Sequence, residues 1–80
     1  MTGMQMPLVM AGIGEEVKIV SIRAGRGLNQ HLADMGLTPG TVIKIINKQG
    51  AGPMLIDFRG SRLILGFSAA QKVMVENIVG

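Results

Sequence analysis

Short apolar runs separated by glycine-containing turns dominate the chain and predict a small all-β fold. Five of these runs are rich in β-branched and other apolar residues and are bounded by turn-forming residues, as short strands are. The predicted strands cover residues 16–23, 41–47, 54–58, 62–66 and 73–78. The first strand has apolar side chains at both odd and even positions, which predicts a β-bulge or a strand covered on both faces. A shorter apolar piece, residues 6–9, precedes them.

One segment has helical instead of alternating periodicity. Leu28, Leu32 and Met35 follow the i, i+4, i+7 spacing of one apolar stripe on two helical turns, and Gly36 is a typical residue for the helix end. Residues 68–71 predict a further single helical turn. The pattern therefore predicts about five strands closed into a small sheet without exposed edges, with one short α-helix and a single-turn helix.

The size and composition narrow the class of protein. A length of 80 residues predicts a single domain over residues 1–80, with its core roughly between residues 6 and 79. The chain has no Cys, so neither a disulfide nor a thiolate metal site supports the core. No apolar run is long enough to span a membrane, and the apolar start of the chain lacks the basic residues of a secretory signal. We therefore expect a cytoplasmic protein.

The net positive charge of the chain makes nucleic-acid binding one alternative function. Eight Lys and Arg against five Asp and Glu give a net charge of +3. These cations are spread along the sequence, whereas proteins that bind phosphate backbones usually concentrate them on one face. Phe58 and Phe67 are the only aromatic residues, too few for a base-stacking surface. We do not expect a nucleic-acid partner, and the alternative predicts an affinity that falls steeply with salt.

The residues that could carry chemistry are few. The chain has no Cys and a single His, and no Ser has an evident base, so we expect no enzymatic activity. His31 and Asp34 share one face of the predicted helix and are weak candidates for metal ligands. Two ligands are too few for tight transition-metal binding, so we expect no metal site, and a divalent-metal-binding regulatory domain is the second alternative. Glu15 and Glu16 would point to opposite faces of a strand, and we expect them to serve solubility.

Glycine-bounded segments follow one another in a distinctive order along the chain. The first half contains Gly25-Arg26-Gly27-Leu28, then Leu32-Ala33-Asp34-Met35-Gly36-Leu37, then Pro39-Gly40-Thr41-Val42. The second half contains Gly52-Pro53, Gly60, Leu63, Leu65, Ala69 and Val73-Met74-Val75. In this order and spacing, over roughly residues 6–79, the sequence resembles the FeoA family, in which a glycine-rich turn leads into a short helix and a Gly-Leu segment.

The resemblance implies both a fold and a function. It implies an SH3-like (Src homology 3-like) β-barrel without catalytic activity, and no cofactor is expected. It further implies a role in ferrous-iron uptake beside the large membrane permease FeoB, which carries a cytosolic GTPase domain. The chain would then reach a membrane only through this partner. One departure is visible, because Gly66 and Phe67 stand where the family often carries basic residues. A contact made by those basic residues would be made differently here.

Docking on the cytosolic side of FeoB is the function that we expect from these features. Exposed polar residues on the helix and its flanking turns are the predicted contacts: Arg26, Asn29, Gln30, His31 and Asp34. The hairpin tip is a second predicted patch, with Arg59 and Arg62 as its contact residues. The surplus of apolar residues leaves weak self-association open.

Overall fold

Six antiparallel strands and two short helices make up the fold in this computed structural model, which describes residues 4–78. In chain order the elements are β1 (Gln5–Pro7), a 3₁₀ turn (Leu8–Met10), β2 (Glu16–Ile22), α1 (Arg26–Asp34), β3 (Val42–Lys48), β4 (Met54–Phe58), β5 (Ser61–Leu65), α2 (Phe67–Lys72) and β6 (Val73–Asn77). The five predicted strands and both predicted helices are confirmed. The short piece at residues 6–9 divides into β1 and the 3₁₀ turn. Residues 1–3 and 79–80 of the predicted domain lie outside the described residues.

The strands form one sheet in the order β1-β6-β2-β3-β4-β5. The fold is SH3-like, but the predicted closure of the sheet is wrong, because β1 and β5 are its two edges and do not pair with each other. β1 has three residues and ends at Pro7, which has no N–H to donate to a further strand. The helix α2 packs beside β1 and the 3₁₀ turn, so a helix covers this side of the core where strand pairing was expected.

The predicted irregularity of β2 is a β-bulge. The pairing of β2 with β6 shifts by one residue between Ile19 and Ser21. Val17 and Ile19 are buried before the shift, whereas Ser21 and Ile22 beyond it are partly exposed. A bulge re-aims the strand in this way, which explains why apolar residues occupy both odd and even positions.

The core lies between the inner face of the sheet and the two helices. Its largest fully buried side chains come from every part of the chain: Leu8, Ile19, Leu32, Leu37, Ile43, Ile45, Met54, Ile56, Val17, Val73 and Val75. Full burial of one such side chain stabilises the fold by about 1.5–3 kcal/mol. Leu32 anchors α1 in this core, with Leu28 and Met35 of the predicted stripe packed at its margin. The stripe therefore docks the helix as its spacing predicts.

Glu15 has a structural role that the sequence does not reveal. Its carboxylate accepts hydrogen bonds from the backbone N–H of Gly12 and, at 3.0 Å, from Nδ2 of Asn77. These contacts join the turn before β2 to the end of β6. The expectation that Glu15 serves only solubility is wrong, whereas Glu16 is exposed at the start of β2.

Candidate functional site

The helix α1 ends in a tight glycine cap that fixes the position of its last turn. The N–H of Leu37 donates to the carbonyl of Leu32 at 2.9 Å, and the N–H of Gly36 donates to that of Ala33 at 2.9 Å. This pair of bonds is a Schellman motif, in which the glycine takes a positive φ, here 93°. Leu32 and Leu37 are both buried in the same core cluster, so both ends of this bond are anchored in the core.

Asn29 holds the turn before α1 in place. Its Nδ2 donates to the carbonyl of Ala24 at 2.7 Å and to that of Gly25 at 3.2 Å. Gly25 is the N-cap residue and provides no side-chain cap. The predicted contact residue Asn29 therefore has both amide hydrogens committed to the local backbone.

A surface groove of about 270 Å³ runs between α1 and the turn that follows it. It is lined by Ile22, Arg26, Asn29, Gln30, Ala33, Leu37, Thr38 and Pro39. Three predicted contact residues, Arg26, Asn29 and Gln30, are thus brought together along one wall. Ala33 continues that wall at the i+7 position, a spacing that could have identified it from the sequence. Thr38 and Pro39 form the opposite wall, and only the path of the chain reveals their contribution.

His31 and Asp34 are exposed on α1 but do not line the groove. Oδ1 of Asp34 accepts a hydrogen bond from Nε2 of Gln30 at 2.8 Å, one helical turn away. Between residues 4 and 78 no three His, Cys, Asp or Glu side chains come together in a group that could hold a metal ion.

The charges at the two ends of α1 oppose the helix dipole. Arg26 is the first residue of the helix and Asp34 is the last, and the first turn contains no acidic residue. A helix favours negative charge at its N-terminus and positive charge at its C-terminus, by about 0.3–1 kcal/mol per group at an exposed site. Both side chains therefore stand where they destabilise the helix slightly.

The hairpin turn between β4 and β5 also contains a residue that is unfavourable at its position. Arg59 and Gly60 form its two-residue turn with φ angles of 53° and 81°. Such a turn prefers Asn or Gly at its first position, because other side chains are strained at positive φ. The guanidinium of Arg59 lies over the ring of Phe58, 5.2 Å from its centroid. Phe58 also contacts the end of α1 at Gly36, so the hairpin tip adjoins the helix.

Comparison with known sequences identifies the family. A sequence model of the FeoA domain matches residues 6–77. The chain belongs to the FeoA domain family. A protein of Methanocaldococcus jannaschii, named as a candidate Fe(2+) transport protein A, is 42% identical over 71 residues, which cover 89% of this chain and 85% of that protein.

Experimental structures of FeoA proteins share the fold. The crystal structure of an iron uptake regulatory protein, FeoA, is 35% identical and superposes with a TM-score of 0.84 over 94% of this chain and 99% of that chain. The NMR structure of a FeoA-like protein from Clostridium acetobutylicum is 30% identical, with a TM-score of 0.85 over 100% of this chain and 93% of that chain. Across residues 4–78, neither helix of this FeoA domain has the length and apolar character needed to cross a membrane.

The outer face of the sheet in this FeoA domain carries charges of alternating sign. Glu16 of β2 stands opposite Lys44 of β3, Lys44 opposite Asp57 of β4, and Asp57 opposite Arg62 of β5. Directly opposed side chains on neighbouring antiparallel strands lie close enough to attract each other. The row therefore runs negative, positive, negative, positive, and it ends at the edge of the sheet with Arg62.

Proposed function

We propose that this protein is a non-catalytic accessory of ferrous-iron uptake that works in the cytoplasm and docks on a FeoB-type permease. Membership of the FeoA family, a family of transport accessory proteins, supports a role in ferrous-iron uptake. The proposed docking surface is the exposed side of α1, with Arg26, Asn29, Gln30, His31 and Asp34, together with Arg59 and Arg62 of the hairpin. We call it the docking surface below.

The placement of charge on α1 is the observation that carries this proposal. Arg26 and Asp34 stand at the helix ends where each lowers the stability of the helix, and Arg26 lines a groove of about 270 Å³. Residues that break a local rule of stability are expected at functional sites, where a benefit elsewhere outweighs the local cost. A partner with a carboxylate near Arg26 and a cation near Asp34 would supply that benefit.

Arg59 supports the same conclusion at the hairpin. It occupies a turn position that favours Asn or Gly, and its stem is held in place by the contact of its guanidinium with Phe58. An ordered cation at an exposed turn is already arranged to meet an acidic group. Phe58 links this turn to the end of α1, so the hairpin tip lies near the C-terminal end of the helix.

Neither alternative function is favoured by an observation of equal weight. His31 and Asp34 lack a third metal-ligating neighbour in the described part of the chain. Three of the cations on the sheet stand opposite carboxylates: Lys18, Lys44 and Arg62. A nucleic-acid-binding face would instead concentrate its positive charge.

The proposal is tested by capture of the permease from detergent-solubilised membranes on the immobilised protein. Two double variants reverse the charges of one patch each, Arg26→Glu with Asp34→Lys, and Arg59→Glu with Arg62→Glu. Both should reduce the amount of permease captured. The matched control is Lys72→Glu, an exposed cation at the end of α2, which should capture as much permease as the unmodified protein. Full capture by both double variants would refute the proposed docking surface.

A further inference from the structure

The edge strand β5 offers an unused set of backbone hydrogen-bonding groups. It pairs with β4 alone, and among the described residues no other backbone bond involves Ser61–Leu65. The pair that closes a two-residue hairpin, here Phe58 and Ser61, is hydrogen-bonded, and such pairs alternate along the ladder. Arg62 and Ile64 therefore turn their N–H and C=O groups away from β4, toward the open edge.

The two edges of the sheet differ in how they are protected. β1 has three residues, one of which is Pro7, and α2 packs beside it. Proline and covering elements are common means of preventing further strand addition. β5 has five residues and no proline, and its Ile64 side chain is 72% exposed. Strand addition is therefore blocked at β1 and open at β5.

The side chains on the outer face of the sheet beside β5 determine which side chains an added strand must present. The alternating row of Glu16, Lys44, Asp57 and Arg62 ends with a cation, so the next strand completes it with a carboxylate. Two residues further along β5, Ile64 borders an open cavity of about 200 Å³. That cavity is lined by Asn47, Gln49, Pro53, Met54, Leu55 and Ile64. An apolar side chain at the corresponding position of the new strand would cover Ile64.

We propose that β5 binds an extended acidic segment of a partner protein as a seventh strand of the sheet. The segment pairs with the outward backbone groups of Arg62 and Ile64, and it places a carboxylate opposite Arg62 and an apolar side chain opposite Ile64. This mode of recognition takes affinity from the backbone and specificity from alternate side chains. The inference deepens the proposed function and rests on it for the protein that carries the segment. It is tested without that protein.

A second copy of this chain does not meet these requirements. An antiparallel copy centred on Leu63 would place Arg62 opposite Ile64, and a copy centred on Arg62 would oppose two cations. A copy centred on Ile64 would place Arg62 opposite Gly66. None of these registers supplies a carboxylate, since β5 contains no acidic residue, and each copy carries a net charge of +3.

The test uses a synthetic peptide and amide hydrogen exchange. The ¹⁵N-labelled protein is titrated with acetyl-Ser-Thr-Val-Thr-Glu-Thr-Ser-amide, in which Val and Glu lie two apart on one face of a strand. A control peptide of identical composition, acetyl-Ser-Thr-Thr-Val-Glu-Thr-Ser-amide, places them on opposite faces. The first peptide should slow exchange at the amides of Arg62 and Ile64 several-fold. The amides of Ser61 and Leu63, already bonded to β4, should be unaffected.

A charge exchange makes the test specific. The variant Arg62→Glu should lose binding of the Glu peptide and gain binding of the same peptide with Lys in place of Glu. Equal effects of the two isomeric peptides, or no protection of Arg62 and Ile64, would overturn the proposal. Protection that appears without peptide as protein concentration rises would identify a second copy as the occupant and overturn it also. If the unmodified protein binds the peptide but captures no permease, the proposed function alone would be refuted.

Discussion

The ring of Phe58 fills the space in which any other residue at position 36 would place its side chain. A Cβ atom on Gly36 would lie 2.8 Å from Cε2 and 2.9 Å from Cζ of that ring. Phe58 is the last residue of β4, and Gly36 terminates the cap of α1. This contact therefore seats the end of the helix against the hairpin.

The contact between Gly36 and Phe58 can be tested by comparing substitution of Gly36 with the same substitution of a matched glycine. Gly36 and Gly40 have nearly the same φ, 93° and 95°, but a Cβ on Gly40 would meet no atom within 4 Å. Gly40→Ala should lower the free energy of unfolding by roughly 1–2 kcal/mol through left-handed strain alone. Gly36→Ala should cost about 1–3 kcal/mol more, because the ring must move. Urea denaturation of both variants measures the difference.

A double variant isolates the cause of that difference. In Phe58→Leu the ring is absent, so adding Gly36→Ala should cost no more than Gly40→Ala costs in the same background. A penalty at Gly36 that is unchanged by Phe58→Leu would show that the ring does not cause it.

Reversing the charge of Arg26 at the start of α1 should change stability and permease binding in opposite directions. Arg26→Glu replaces a cation by an anion at the helix N-terminus, so it should raise the free energy of unfolding by about 0.3–1 kcal/mol while it weakens permease binding. Chemical denaturation and permease capture on the same preparation measure the two effects. A parallel loss of stability and binding would instead assign Arg26 a role in the fold.

At the hairpin tip, substitution of Arg59 should likewise weaken permease binding without lowering stability. Arg59→Asn places a residue that tolerates positive φ in the turn, so the free energy of unfolding should stay the same or rise, although the contact with Phe58 is lost. Permease capture should fall. A thermal melt that shows marked destabilisation would mean that the contact with Phe58 holds the hairpin together.

Glu15 should matter to stability and its neighbour should not. Glu15→Ala removes a carboxylate that accepts hydrogen bonds from Gly12 and Asn77, and hydrogen bonds to charged groups contribute about 1.5–3 kcal/mol each. Because Glu15 is only partly buried, the expected loss of unfolding free energy is about that of one such bond, roughly 1.5–3 kcal/mol. Glu16→Ala is the control and should change it by no more than about 0.5 kcal/mol, as exposed substitutions usually do. Equal effects at both positions would contradict the structural role of Glu15.

Much of the fold is predictable because its signals are local. The stripe of Leu28, Leu32 and Met35 locates α1, and Pro39-Gly40 predicts the turn that the bond from the N–H of Thr41 to the carbonyl of Thr38 closes at 3.0 Å. The open sheet is not predictable in this way. Whether two edge strands meet depends on the sum of twist and length over the whole sheet, and no single segment encodes that sum.

The candidate site is predictable only in outline. Exposure and loop position suggest Arg26 and Gln30, and both line the groove. The same reasoning cannot show that Asn29 holds a turn or that Pro39 forms the far wall, because both depend on contacts made after the chain has folded. The positive φ of Arg59 is equally hidden, since the sequence alone favours Gly60 for that conformation. The contact roles of these residues stay predictions.

The docking surface is tested most directly by an NMR titration of the ¹⁵N-labelled protein with the FeoB-type permease of the same genome, held in lipid nanodiscs. Empty nanodiscs provide the control. We expect selective loss of amide signal at residues 26–34 and 59–62, and little loss along α2. Signals that stay unchanged at excess permease, or a loss confined to residues outside these two segments, would contradict the proposed docking.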